Sequence, residues 1–370
     1  MGWWCVSSRA GRSRVSTDKL WQVSDIQSDP VTRRPVTLDD VARQAGVSQP
    51  TASRVLNGSS RKVAESYRLR VLEAARDLGY TPNLPAQAMA RGTSRTIALV
   101  ISLISDPYFS AMAAEIMKQA EAVGLHVSIA VTERRTDREL DLVRELRGQQ
   151  PRAIILAGTG YVDPPSEEQL VAELQRYQQT GGRVVLISRS DLPFETVDFD
   201  NHEGARQLAR ELAGLGYRRF LVLGSGTPLL SMQQRVEGFI AGLVESGVSD
   251  AGVRVHHPGF SWAGAHDFIL GLSDETLRDL QLVFAVTDDM ALGAIAGLHE
   301  RGMEIPSDIG VAGFDDITTL RDVVPKLTTV HVALNAVAEE AVYRATTTDT
   351  ELTRRTVPAY PVIRASTPPL

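Results

Sequence analysis

The densest group of side chains able to recognise another molecule lies in the segment SQPTASRVLN, residues 48–57. Gln49 and Arg54 carry planar groups that can form paired hydrogen bonds with the base edges of adenine and guanine. Short hydroxyl and amide side chains stand between them, and these suit phosphate oxygens. Pro50 has no hydrogen-bonding side chain and offers only an apolar contact, for example to a thymine methyl. The segment therefore carries the residue types that contact double-stranded DNA.

Two short helices joined by a tight turn would position these groups. Thr37 and Ser48 are predicted to cap the first and the second helix. The carboxylate of Asp40 suits the partial positive charge at the start of the first helix. Gly46 would form the turn, and Pro50 falls in the first turn of the second helix, where a missing N–H does no harm. Such a pair places its second helix in a major groove. A bare helical hairpin with solvated polar side chains is the alternative, which the spacing of caps and glycine disfavours.

Charge is distributed unevenly along the chain. The 370 residues carry a formal net charge of −6, yet residues 1–95 hold 15 lysines and arginines against 8 aspartates and glutamates, a net charge of +7. The remainder holds 24 against 37, a net charge of −13. A basic head on an acidic body is expected where only the head contacts a polyanion. Taken alone, the charge fits a solvated basic tail equally well.

Composition disfavours several other classes of protein. Cys5 is the only cysteine, so no internal disulfide and no cysteine-based metal cluster can form. His256, His257 and His266 lack a zinc-binding spacing, and we predict neither a metal nor a cofactor. No apolar stretch approaches the roughly 18 residues that span a bilayer. The amino terminus lacks the apolar segment of a secretory signal, so we expect a cytoplasmic protein.

From Thr96 onwards, short apolar runs alternate with amphipathic stretches. A first series consists of TIALVISL, LHVSIAV, RAIILA and RVVLIS, and a second of TVDFD, RRFLVLG, VRVHH, LVFAV and IGVAGF. Helices are predicted between them over residues 107–123, 136–149, 166–180, 202–214, 231–246, 262–271 and 288–301. This alternation predicts two lobes, each a parallel sheet covered by helices. A ligand would bind in the cleft between them, beyond the carboxyl ends of the strands.

Three segments resemble the LacI/GalR family of bacterial transcriptional regulators, namely DVARQAGVSQPTASRVLNG, LGYTPNLPAQAMARG and TIALVISLISDPYF. The resemblance runs from residue 36 to about residue 366. It implies a small all-α helix-turn-helix head, a hinge helix, and an α/β two-lobed core like a periplasmic binding protein, which dimerises and binds an effector. The expected divisions are a disordered extension (1–35), the head (36–80), the hinge (81–95) and the core (96–366), with an N-lobe (96–200 and 332–361) and a C-lobe (201–331 and 362–366).

The resemblance implies roles for residues of the head and the hinge. Gln49, Pro50 and Arg54 would face the bases of the major groove, and Met89 would insert into the minor groove as an apolar wedge. Packing of Met89 against its dimer mate is the alternative. Other DNA contacts would come from Thr37, Ser48, Thr51, Ser53, Asn57 and Lys62. The loop NGSSRKV is one residue longer than usual, and Ala64 replaces the usual cap of the third helix, a loss of roughly 1 kcal/mol.

In the core, the positions of the family's effector site correspond to Tyr108, Phe109, Ser188, Arg235, Phe260, Thr287, Asp288 and Asp315. The planar fork of Arg235 suits hydroxyl or carboxylate oxygens, although it could instead pair with Asp315. Ser188 stands where the family often has Asp, and Val332 replaces a residue that is frequently polar in the family. Because each buried hydroxyl of a sugar needs a partner, a pentose or hexose is a weaker prediction here. A less hydroxylated ligand, or an acid bound by Arg235, stays open.

These features together predict a homodimeric, sequence-specific DNA-binding regulator, by resemblance a repressor. It would bind a palindromic operator under the control of a small-molecule effector, in the family often a carbohydrate. A small-molecule-binding protein whose head is impaired in sequence reading is the alternative. An enzyme on this fold would need an activated nucleophile or a paired acid and base. The adjacent pairs Asp288–Asp289 and Asp315–Asp316 have no histidine at motif spacing, so we expect no catalysis.

Overall fold

The computed structural model describes residues 34, 36–56, 63–81, 94–158, 164–189, 192–227, 229–347 and 354–370. The chain divides into two compact units, Met1–Asn83 and Leu84–Leu370, which are considered separately below. Asn57, Lys62 and Met89 lie outside the described residues, as do the hinge helix predicted over residues 83–92 and nearly all of the extension.

The head consists of three helices, α1 (Leu38–Ala45), α2 (Gln49–Leu56) and α3 (Glu65–Asp77). The backbone N–H of Asp40 donates to the Thr37 hydroxyl, and the Asp40 carboxylate accepts from the Thr37 N–H in return. Gly46 ends α1 with φ +62°, a left-handed conformation that glycine adopts at little cost. The predicted first cap and turn glycine are thus confirmed. The helices enclose a small core of Val41, Ala42, Ala45, Ala52, Val71 and Ala74.

The first lobe of the core is a six-stranded parallel sheet. Its strands are β1 (Thr96–Ile101), β2 (His126–Val131), β3 (Ala153–Ala157), β4 (Arg183–Ile187), β5 (Glu195–Phe199) and β11 (Arg354–Val357), in the order β11-β5-β4-β3-β1-β2. Its helices are α4 (Pro107–Ala122), α5 (Thr136–Gln149), α6 (Pro164–Gln179) and α12 (Leu334–Thr346). Side chains of β1 alternate between two hydrophobic clusters, so both faces of the sheet are covered.

The second lobe is a four-stranded parallel sheet in the order β7-β6-β8-β9. Its strands are β6 (Phe220–Leu223), β7 (Val253–His256), β8 (Leu282–Ala285) and β9 (Gly310–Ala312). Its helices are α7 (Asn201–Gly214), α8 (Leu230–Glu245), α9 (Trp262–Leu270), α10 (Asp274–Asp279) and α11 (Asp288–Glu300), with two 3₁₀ turns, Asp250–Gly252 and Thr318–Asp322.

The strand–helix alternation and the expected lobe bounds disagree on one strand. Alternation places TVDFD at the start of the second series, whereas the bounds implied by the family place it in the N-lobe (96–200). It forms most of β5 and pairs with β4 of the first sheet, as the bounds imply. The described residues between β4 and β5 form no helix, so alternation alone cannot decide which sheet receives the strand.

Three chain segments connect the lobes. The first runs from β5 into α7, and the other two form the antiparallel pair β10 (Thr329–Val332) and β12 (Ala359–Val362). After β12 the chain returns to the second lobe, where the Ser366 hydroxyl donates to the carbonyl oxygen of Val311. Such multiple connections allow two lobes to move as hinged bodies. No helix among the described residues is long and apolar enough to cross a membrane.

Glycines permit close contacts between helices of the second lobe. Helices α7 and α8 approach so closely that a Cβ atom on Gly238 would lie 2.1 Å from the carbonyl oxygen of His202. Gly238→Ala is therefore expected to lower the free energy of unfolding by about 1–3 kcal/mol in urea denaturation. Gly214 is also helical, but a Cβ atom added there would meet no other atom within 4 Å. Gly214→Ala should instead raise the free energy of unfolding by up to about 1 kcal/mol, and equal losses in both variants would contradict the close-contact explanation.

Candidate functional site

Helix α2 has one side in the core of the head and the other in solvent. Ala52 is fully buried, and Val55 and Leu56 pack against the same core. The opposite side and the start of the helix present exposed Ser48, Gln49, Pro50 and Arg54 and half-buried Thr51 and Ser53. The side chains predicted to contact bases and phosphates therefore lie together on one short helix, with apolar packing fixing its orientation in the head.

Two of the hydroxyls predicted to contact phosphates are held at helix starts. The Ser48 Oγ atom accepts from the backbone N–H of Thr51 at 3.4 Å and lies 2.9 Å from the Thr51 hydroxyl. The Thr37 hydroxyl lies 2.6 Å from the Asp40 carboxylate. Hydroxyl groups held in this way lose little rotamer freedom when they bind a phosphate. This suits contacts that fix the register of a protein on the DNA duplex.

Helix α3 begins without a side-chain cap, as Ala64 predicts: this residue stands at the N-cap and makes no capping hydrogen bond. Ala64→Ser is expected to stabilise α3 by about 1 kcal/mol, because a serine hydroxyl can accept from an N–H of the first turn. Amide hydrogen exchange of α3 in the whole protein measures this. Thr37→Ala, which removes the existing cap of α1, should have the opposite effect on α1. Unchanged exchange in both helices would show that capping does not limit the stability of the head.

Seven of the eight predicted effector residues line one cavity between the two lobes of the core: Tyr108, Phe109, Ser188, Arg235, Phe260, Thr287 and Asp315. Sequence reasoning missed Ser102, Asp106, Gly158, Phe199, Leu229, Leu230, Ser231 and Met232, which line it as well. Several of these follow the carboxyl ends of strands, as Ser102 follows β1 and Gly158 follows β3. Position directly after a parallel strand is the signal that could have found them.

Asp288 does not line this cavity, and the prediction that it contacts the effector is corrected. Its side chain is fully buried, with Oδ1 accepting from the Thr329 hydroxyl at 2.6 Å and Oδ2 from the backbone N–H of Ile317 at 3.0 Å. Thr287, one residue earlier, caps α11 and faces the cavity. Asp288 therefore fixes the segment after β9 against α11, a structural role that sequence position alone does not reveal.

Arg235 is held rigidly at the base of the cavity. Its Nε donates to Asn201 at 2.8 Å, its Nη1 donates to the carbonyl oxygen of Val286 at 2.7 Å, and the same Nη1 lies 2.9 Å from the Asp315 carboxylate. Its guanidinium carbon lies 3.8 Å from the centre of the Phe314 ring. The side chains of Arg235 and Asp315 are 2% and 4% exposed. The pairing of Arg235 with Asp315, left open by the sequence, is thus present.

The charges of the cavity do not favour an anion. Burial raises the pKa of Asp315, and the Arg235 guanidinium opposes this rise. A second carboxyl group, that of Asp106, also lines the cavity, and burial raises its pKa too. Arg235 is paired with Asp315, and Arg134 lies 3.6 Å from Asp106, so each of these guanidinium groups already has a carboxyl partner. No surplus positive charge remains, which argues against an acid as the ligand of Arg235.

Aromatic side chains form the apolar wall of the cavity. Tyr108 meets Phe109 edge to face, with ring centres 5.1 Å apart, and lies 6.4 Å from Phe199. Burial raises the pKa of Tyr108 well above its ordinary value, so its phenol stays neutral. The space that a water molecule can reach inside amounts to about 50 Å³, room for only a few waters. A larger ligand therefore requires the lobes to part. Within the described residues no group of three potential ligands could hold a metal ion.

Comparison with known proteins identifies the family. Residues 37–83 match the bacterial regulatory proteins of the lacI family, and residues 209–367 match the periplasmic binding protein-like domain. The regulator GalS of Salmonella typhimurium strain LT2 is 33% identical over 310 residues, which cover 83% of this chain and 88% of GalS. This chain belongs to the LacI family of bacterial transcriptional regulators. GalR of Escherichia coli K12, at 32% identity, covers 82% of this LacI-family chain and 87% of its own length.

Solved structures of LacI-family proteins share the fold. A family member from Silicibacter pomeroyi superposes with a TM-score of 0.75 at 28% identity, covering 90% of this chain and all of its own. A complex of the regulator CelR with cellobiose has a TM-score of 0.62 at 26% identity, with the same coverage. The Lac repressor dimer bound to operator, at 24% identity and a TM-score of 0.77, shows the fold alone; it covers 90% of this chain and 99% of its own. The predicted architecture, a helix-turn-helix head with a two-lobed core, is confirmed.

Proposed function

We propose that this LacI-family regulator binds a palindromic operator as a homodimer, with one α2 helix in the major groove of each half-site. The outward side of α2 carries this proposal, because it gathers Gln49, Pro50 and Arg54 on a helix that the head core orients. Half-sites of such dimers are spaced about one helical turn or a multiple of it apart. Asn57, Lys62 and Met89, outside the described residues, stay predicted contacts.

The homodimer is supported by an apolar face on the core. Two grooves flank α4, one shared with the 3₁₀ turn at residues 318–322 and the other with α12. Tyr343, which is 57% exposed, lines the groove shared with α12, and Met117 on α4 is 47% exposed. Large apolar side chains exposed in this way favour an interaction site. Sedimentation should give twice the 40.3 kDa of one chain, and a monomer at micromolar concentration would contradict the dimer.

The effector is a neutral small molecule with an apolar face and few hydroxyl groups. The aromatic wall suits such a face, and the paired Arg235 and Asp315 offer donors and acceptors without net positive charge. Carbohydrates appear with relatives, such as cellobiose with CelR and ribose with an Enterococcus faecium LacI-family regulator. Calorimetric titration with benzyl alcohol and with benzoate, a neutral and an anionic ligand with the same apolar ring, tests the charge preference. Tighter binding of benzoate would contradict it.

Effector binding between the lobes controls the head. Ligand closure of the lobes would shift the hinge and so change DNA affinity, with a coupling free energy of typically 1–3 kcal/mol. By resemblance the protein represses transcription, acting in the cytoplasm on operator DNA.

The runner-up function is small-molecule binding by a protein whose head is impaired in reading DNA sequence. The longer loop before α3 and the uncapped start of α3 favour it.

Selection of genomic fragments by the purified protein at physiological salt separates these two functions. The regulator predicts enrichment of a palindromic site with a kinkable central step, and genes beside it would nominate the effector. Recovery of fragments without a shared site would overturn sequence-specific binding and favour the runner-up. Salt must be held constant, since phosphate contacts make non-specific affinity strongly salt-dependent.

A further inference from the structure

Arg134 connects the two lobes at the mouth of the cavity. It lies in the turn between β2 and α5 of the first lobe, where Glu133 and Arg134 have φ values of +55° and +60°. Its Nη1 donates to the carbonyl oxygen of Phe260 in the second lobe. Its guanidinium carbon also lies 4.5 Å from the centre of the Phe260 ring. One side chain therefore contacts both the backbone and the ring of a residue on the opposite lobe.

The same guanidinium lies beside a carboxyl group of its own lobe. Its Nη2 lies 3.6 Å from the Asp106 carboxylate, at the start of α4 in the first lobe. A second carboxyl group, that of Asp289 in the first turn of α11 in the second lobe, accepts from the backbone N–H of Trp262 at 2.9 Å. Burial raises the pKa of both carboxyls, repulsion by Asp289 raises that of Asp106 further, and the charge on Arg134 opposes the rise in both. Arg134 is thus one of the cations, with Arg235, that offset the negative charge of Asp106.

These contacts are shielded from solvent. The Arg134 side chain is 23% exposed and that of Asp106 is 13% exposed. Partly desolvated arginine–aromatic and charged hydrogen-bond contacts are stronger than the exposed surface pairs made by neighbouring arginines of α5. The strain of a left-handed backbone at a residue other than glycine is consistent with a conformation maintained by these contacts.

We propose that Arg134 is a positioning residue that bridges the lobes and sets the balance between the closed and open cleft. Asp106 and Phe260, its two partners, both line the cavity. The bridge therefore orients one lining residue from each lobe, and it breaks whenever the lobes part to admit a ligand. Its regulatory meaning rests on the proposed effector site, but the bridge itself is testable without effector or DNA.

The test measures the distance between the lobes in the whole protein. In a Cys5→Ser background, Asp137→Cys and Asp267→Cys place spin labels on α5 and α9, where the side chains are 66% and 77% exposed. Labelled chains are mixed with an excess of unlabelled chains, so that the pair within one chain of the proposed homodimer dominates the signal. Pulsed electron–electron double resonance should then give one short, narrow distance distribution when Arg134 is present. Arg134→Ala is expected to lengthen the mean distance by more than about 2 Å and to raise the ratio of open to closed molecules about tenfold. Tenfold corresponds to about 1.4 kcal/mol.

Three further variants make the result specific. Arg138→Ala is the matched control, because Arg138 pairs with Glu133 within its own lobe, and it should leave the distance unchanged. Phe260→Leu removes the ring that Arg134 contacts on the second lobe and should also lengthen the distance. The test therefore does not depend on the folding of a single variant. Arg134→Lys keeps the charge without the planar stack and should give an intermediate ratio of open to closed molecules.

The bridge is overturned if the distance distributions of Arg134→Ala and Phe260→Leu superpose on that of the parent, or if Arg138→Ala shifts the distance equally. If benzyl alcohol and the other neutral candidates fail to bind while the distances shift as expected, the effector proposal fails and the bridge stands.

Discussion

Arg54→Ala is expected to lower the affinity for the selected operator by roughly 5- to 150-fold, while affinity for unrelated DNA falls much less. A bidentate pair between arginine and guanine is worth about 1–3 kcal/mol of discrimination against the wrong base. Arg54 is exposed on the outward side of α2, and the packing of Ala52 orients that side. Fluorescence anisotropy with operator and scrambled duplexes, at fixed salt, gives both affinities.

A phosphate-contacting role for Arg54 predicts a different pattern. Loss of a phosphate contact weakens binding to all sequences alike and reduces the salt slope by about 1. Arg43→Ala is a useful comparison, because Arg43 is exposed on α1 and pairs there with Asp39 and Asp40. We expect it to leave the operator-to-scrambled ratio unchanged. An unchanged ratio in Arg54→Ala as well would remove Arg54 as a base-reading residue.

Local signals in the sequence predicted the head well, because each rests on interactions within one turn. A cap such as Thr37 needs only a backbone N–H three residues away, and Gly46 needs only its own backbone conformation. Neither depends on distant parts of the chain. The positions of α1 and α2 followed from such signals without knowledge of the tertiary fold, whereas α3 starts without a side-chain cap and was placed by the resemblance to the family.

Long-range pairing is what the sequence of the core did not determine. Strand–helix alternation places β5 (ETVDF) at the start of the second series, but the strand pairs with β4 of the first sheet, from which only a short stretch of chain separates it. The pair Thr287 and Asp288 shows the same limit at the site. Both are polar and adjacent at a helix start, yet only Thr287 faces the cavity, because Thr329 and Ile317 bind the Asp288 carboxylate. Ile317 is 29 residues and Thr329 is 41 residues away from Asp288 along the chain.

The largest loss of stability is expected from Arg235→Ala. Removing the guanidinium leaves the Asp315 carboxylate buried without its cation, and it leaves Asn201 and the carbonyl of Val286 without their donor. Breaking a buried ion pair by removing one partner costs about 3–5 kcal/mol. Urea denaturation should show this decrease in the free energy of unfolding. Arg206→Ala, which breaks a more exposed network with Glu203 and Glu245, should cost at most about 1 kcal/mol.

The loss of stability in Arg235→Ala should also depend on pH, in a direction that Asp315 determines. Burial raises the pKa of this carboxyl above its ordinary value of 3.8, and Arg235 is what lowers it. Without Arg235 the folded-state pKa rises further, so folding favours the protonated acid. In the parent protein burial raises the pKa of Asp315 to about 7. Below that pH the carboxyl is protonated in the folded state of both proteins, so the loss of stability is constant there, and it grows as the pH rises above about 7 towards the higher folded-state pKa of the variant. A loss that does not grow between about pH 6 and about pH 9 would show that lost hydrogen bonds, rather than the unpaired charge, destabilise the variant.

A second substitution separates stability from signalling. Adding Asp315→Ala to Arg235→Ala removes the unpaired charge, so the double variant should be more stable than Arg235→Ala alone, although two charged groups are gone. It should still bind operator through the head, but it should not change its DNA affinity with effector, because both polar groups at the base of the cavity are absent. A double variant that is folded and still responds to effector would show that the ligand binds elsewhere than at Arg235 and Asp315. A double variant no more stable than the single one would assign the cost to Asn201 and Val286 instead.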